Sequence, residues 1–136
     1  LASRIDRLPA ARKALLETAA VIGKDVPVAL LERVTGLEPE ELRRELTELQ
    51  RAEFLYELRL FPEQVYTFKH AITTEVAYRG LLRDRRRALH AQIMTAIEAL
   101  RADRLTEHAG TDAAFDIVVL FFLRSRTVTD ALVSQT

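Results

Sequence analysis

The feature that most constrains this chain is its punctuation by proline and glycine over the first fifty residues. Pro9, Gly23, Pro27, Gly36 and Pro39 break the sequence into short segments, each with apolar residues at helical spacing. Proline suits the first turn of a helix, where its missing N–H costs no hydrogen bond. Glycine suits the residue after the last turn, where positive φ is often required. The first segment, after Pro9, places Leu8, Leu15, Leu16, Ala19 and Ile22 on one face and stops at Gly23. Asp25-Val26-Pro27 is read as the start of a second, short helix with Leu30, Leu31 and Val34 inside and Gly36 at its end. A third helix begins near Glu38-Pro39 and buries Leu42, Leu46, Leu49 and Ala52. The last two helices, joined by a short turn with a glycine, have the helix-turn-helix pattern.

The period then changes. FLYELRLF, residues 54–61, reads as a strand with Phe54, Tyr56, Leu58 and Leu60 on one side. Pro62-Glu63-Gln64 is the turn, and residues 65–69 return with Tyr66 and Phe68 on one face. Three helices plus a β-hairpin predict a mainly α chain with a winged-helix domain over 1–70, the wing spanning about 54–69. A helical extension over 71–108 follows, in which Ile72, Val76 and either Leu81 or Leu82 are the apolar positions, with a break near Gly80. The longest clean helix covers 85–100, with Leu89, Ile93, Met94, Ile97 and Leu100 sharing a face and Arg86, Arg87, Gln92 and Glu98 opposite. Residues 109–136 form a divergent tail. Its apolar block, 115–123, suits a strand by propensity and a helix by context, with helix the preferred reading.

Composition limits the functions open to such a chain. With 136 residues, 49% of them apolar, it can bury roughly two-thirds of its unfolded surface in one core. The formal net charge is zero, which gives no general attraction to nucleic acid or to an anionic membrane. There are no cysteines, so a disulfide framework, a thiol nucleophile and a cysteine zinc site are excluded. The longest apolar run is far shorter than the ~20 residues that span a bilayer. A cytoplasmic setting is the expectation. The chain starts without Met and without a signal pattern, and reads as a piece of a longer protein. Basic residues are chosen unevenly, 17 Arg against 3 Lys, which suits either coding bias or planar contacts to phosphate and carboxylate.

If the third helix read DNA, its outer face should be basic. Instead residues 38–51 carry five glutamates against three arginines, a net charge of −2. Phosphate contacts dominate DNA affinity, so this helix would repel the duplex, and a winged-helix DNA-binding module of a transcription regulator is the lesser reading.

Three constellations carry chemistry. His70 stands between the second wing strand and a helix N-terminus, where free N–H groups and the dipole favour a phosphate. The alternative is an imidazole partly buried beneath the wing. Arg79, Arg83, Arg85, Arg86 and Arg87, with Asp84 alone against them, give +4 in nine residues. That block suits a neighbouring domain, a phosphate or nucleic acid, or a solvated face whose arginine stems cover apolar surface. His70, His90 and His108 are 20 and 18 residues apart, which matches no metal signature. With four glycines and no G-x-x-x-x-G-K-[ST] or G-x-S-x-G motif, no catalytic site and no bound cofactor are expected in the chain itself.

The FLYE…F-x-H-A…E-V-A-Y and L-x-x-x-R-R-x-L-H blocks carry a resemblance over about residues 2–108. The chain resembles the winged-helix segment that follows the ATPase core of bacterial STAND-type signalling ATPases. It looks most like those linking a class III adenylate or guanylate cyclase to an AAA-like ATPase and tetratricopeptide repeats. The resemblance implies a preceding domain that binds ATP or ADP, following helical repeats, and a nucleotide-dependent oligomer of the parent. It implies that His70 is the sensor that contacts the ADP β-phosphate and holds the closed state. Ala71 stands where relatives with a Met-His-Asp motif carry Asp. Arg83, Arg86, Arg87 and His90 would then form an interdomain contact toward the repeats. The tail after 108 departs from the helical-hairpin repeats that usually follow.

Overall fold

Proline and glycine set the helix ends much as their chemistry requires. The computed structural model describes the backbone of residues 1–107 and the side chains of 1–103. The expectations for His108 and for the tail over 109–136 lie outside the described residues. Helix α1 (Ala2–Asp6) is short and was not anticipated; it anchors through buried Ile5. Its Arg4 donates to the Ala52 carbonyl at 2.8 Å and lies 4.9 Å above the Phe54 ring. Helix α2 (Ala10–Ile22) begins one residue after Pro9 and stops at Gly23. Leu15, Leu16, Ala19 and Ile22 are buried as expected, with Leu8 packed partly against them.

Asp25-Val26-Pro27 does not begin a helix. It forms a strand, β1 (Asp25–Pro27), and α3 (Val28–Thr35) starts only after it. Strand β3 (Val65–Phe68) is the cause: Asp25 pairs with Thr67, Val26 with Tyr66 and Pro27 with Val65, all antiparallel. The Thr67 hydroxyl donates to Asp25 Oδ1 at 2.7 Å. Proline cannot donate to a ladder, which fits its place in an edge strand. Gly36 closes α3 at φ 68°, and Pro39 opens α4 (Pro39–Arg51) at its first turn.

The sheet order is β1-β3-β2, with β2 (Leu55–Arg59) antiparallel to β3 on the other side and a register shift between Glu57 and Arg59. As the middle strand, β3 buries all four residues. The expected inward face of β2 is not found. Phe54 and Leu55 are buried in succession, whereas Tyr56, Leu58 and Leu60 are 45%, 48% and 56% exposed. β2 is an edge strand that meets α4, and only its start reaches the core. Beyond Leu55 the exposed strand residues of the hairpin are those of β2, while β3 stays buried.

Helix α5 (Ala71–Arg79) packs on α2, and α6 (Arg83–Glu107) packs on α2 and α3. The expectation for α5 needs correction. Ile72 is 55% exposed, Val76 packs partly against the core as expected, and the fully inward side chains are Thr73 and Ala77, with Leu81 just beyond the helix. Leu81 rather than Leu82 enters the core. Small inward residues let α5 lie close on α2, a contact that a hydrophobic-period argument undervalues. On α6 the expected stripe holds: Leu89, Ile93 and Ile97 are buried, and Met94 and Leu100 are packed against them.

One apolar cluster therefore runs from Ile5 through Leu16, Leu31, Leu46 and Phe68 to Ile97. Residues on both sides of position 70 contribute to it. Ion pairs tie its helices together at the surface: Arg12 to Glu45 at 2.8 Å between α2 and α4, and Arg33 to Asp103 at 3.2 Å between α3 and α6. The chain is thus mainly helical with a small three-stranded antiparallel sheet. No helix among the described residues is long and apolar enough to cross a membrane.

Candidate functional site

The junction from β3 to α5 is fixed before His70 is reached. The Phe68 N–H donates to the Lys24 carbonyl at 3.1 Å, and the Lys69 N–H to the Phe54 carbonyl at 3.0 Å. The Lys69 ammonium pairs with Glu53 at 3.0 Å. That hydrogen bond is the main cause holding the Glu53 carboxyl below its ordinary range, with the charges of Lys69, Arg4 and His70 adding to it. Glu53 itself takes φ 67° where α4 turns into β2.

His70 is the N-cap residue of α5, with extended backbone at φ −130° and ψ 132°. Its carbonyl accepts the Thr73 N–H at 3.0 Å, but its imidazole makes no capping bond. The residue is exposed, so the alternative of a histidine buried beneath the hairpin is not what the fold builds. The first-turn N–H groups of α5 and an accessible imidazole thus occupy one place on the surface, and the strand before them is held by backbone bonds. Ala71 beside it carries no group that could orient the ring.

The arginine block divides by helical phase. Arg79, at the end of α5, pairs with Glu75 at 2.6 Å. Arg83 and Arg87, four residues apart on α6, are exposed. Arg86 and His90, the next such pair, turn toward α5. Arg86 is half-buried, with its guanidinium 5.1 Å from the centre of the Tyr78 ring. His90 is 7% exposed, and its Nε2 lies 3.2 Å from the Tyr78 hydroxyl, with the two rings edge to face at 87°. The four residues expected at one interdomain contact therefore do not form one surface. His90 lies inside the fold, bridging α5 to α6 through Tyr78, while Arg83 and Arg87 reach solvent. Tyr78, in the E-V-A-Y block, makes both contacts. It meets residues eight and twelve positions later, Arg86 and His90, only because the chain turns between the end of α5 and the start of α6.

Helix α4 presents an acidic and internally paired face. Arg43 pairs with Glu40 and Arg51 with Glu48, both at 3.1 Å, and Glu45 is engaged by Arg12. Among the described residues no group of three or more His, Asp or Glu side chains gathers as a metal site. Searches against protein-family models, curated proteins and solved structures gave no match for this chain.

Proposed function

We propose that this chain is a non-catalytic winged-helix regulatory domain of a multidomain STAND-like ATPase. It senses the nucleotide bound by a preceding ATPase domain and relays it toward a signalling output, a nucleotide cyclase. The order α2–β1–α3–α4–β2–β3 agrees with a three-helix domain carrying a hairpin wing. The observation that carries the proposal is His70: an exposed imidazole on a helix N-terminus, at the end of a strand whose neighbours are pinned. That arrangement suits a phosphate presented by another domain, because the imidazole and the helix N–H groups can converge on it.

In this reading ADP in the ATPase core ties His70 to it, and exchange for ATP releases the tie and permits oligomerisation. The exposed pair Arg83 and Arg87 faces the helical repeats, while Arg86 and His90 brace α5 against α6. Catalysis and the cofactor both belong to the parent's ATPase core, in a cytoplasmic protein. The acidic, self-paired face of α4 argues against the DNA-binding alternative.

The test joins this chain to its ATPase core and measures ADP dissociation with and without His70→Ala. Loss of one hydrogen bond to a charged group corresponds to about 1.5–3 kcal/mol, so release should quicken by at least about tenfold. Unchanged ADP retention and unchanged basal output would overturn the proposal.

A further inference from the structure

We draw no further inference here: the strongest candidate, the exposed apolar patch of the β2–β3 hairpin formed by Tyr56, Leu58, Leu60 and Phe61, carries nothing because nothing in the structure shows what covers it.

Discussion

Replacing Ile93 by alanine should destabilise the whole described fold rather than only its last helix. Ile93 is fully buried in the middle of α6, which packs on both α2 and α3. Truncating such a side chain removes its transfer energy and leaves a cavity, together costing about 3 kcal/mol within a usual range of 2–5. A chain of this size has an unfolding slope of about 1.5 kcal/mol per molar urea. The midpoint should therefore fall by about 2 M with the slope unchanged. The assay is urea unfolding by far-ultraviolet circular dichroism, paired with amide exchange at Val26 and Phe68 in the sheet. Because one apolar cluster joins Val26 and Phe68 to Ile93, both probes should report the same loss. Sheet amides that keep their protection while helical signal is lost at lower urea would refute a shared core and return 71–107 to the status of an appendage.

Two further outcomes follow from single positions. Gly36 ends α3 at φ 68° with open space around a prospective Cβ, so Gly36→Ala should cost about 1–2 kcal/mol from backbone conformation alone, and Gly36→Asn less; equal thermal midpoints for glycine and alanine would contradict this. Burial raises the Glu17 carboxyl above its ordinary range despite the nearby charges of Lys13 and Arg85. The folded state then holds its proton more tightly than the unfolded state, so this group favours folding below the ordinary carboxyl range and loses that contribution as pH rises through the raised value. Glu17→Gln should therefore gain stability relative to the parent chain between acid and neutral pH, as thermal melts across that span would reveal. A constant difference would contradict the burial effect.

The helices were legible where stop signals and apolar spacing agreed. Pro9 and Gly23 bracket α2, Pro39 opens α4, and Leu89, Ile93 and Ile97 mark α6. Strand β1 was not legible, because three residues show no period and Pro27 reads equally well as a helix start. Its state is decided by β3, some forty residues later in the chain. The exposure of Tyr56, Leu58 and Leu60 had the same origin: alternation predicts which residues share a face, but neighbouring elements decide whether anything covers it. In α5, Thr73 and Ala77 face inward because close helix approach rewards small residues, while the more apolar Ile72 is left outside.

The candidate residues divided similarly. The place of His70 at a strand-to-helix junction was legible because it can be read from the change of period. The arginine block looked uniform in sequence. Its split into solvent-facing Arg83 and Arg87 and inward-turned Arg86 and His90 depends on how α6 is rotated against Tyr78.

The most direct measurement of the sensing proposal is imidazole nitrogen NMR on this chain joined to its ATPase core, with ADP added or removed. His90 serves as the internal reference, because it is buried against Tyr78 and away from the surface that His70 presents. The account predicts that ADP shifts the His70 ring nitrogens and leaves those of His90 in place. His70 resonances that ignore ADP in a nucleotide-loaded protein would contradict it.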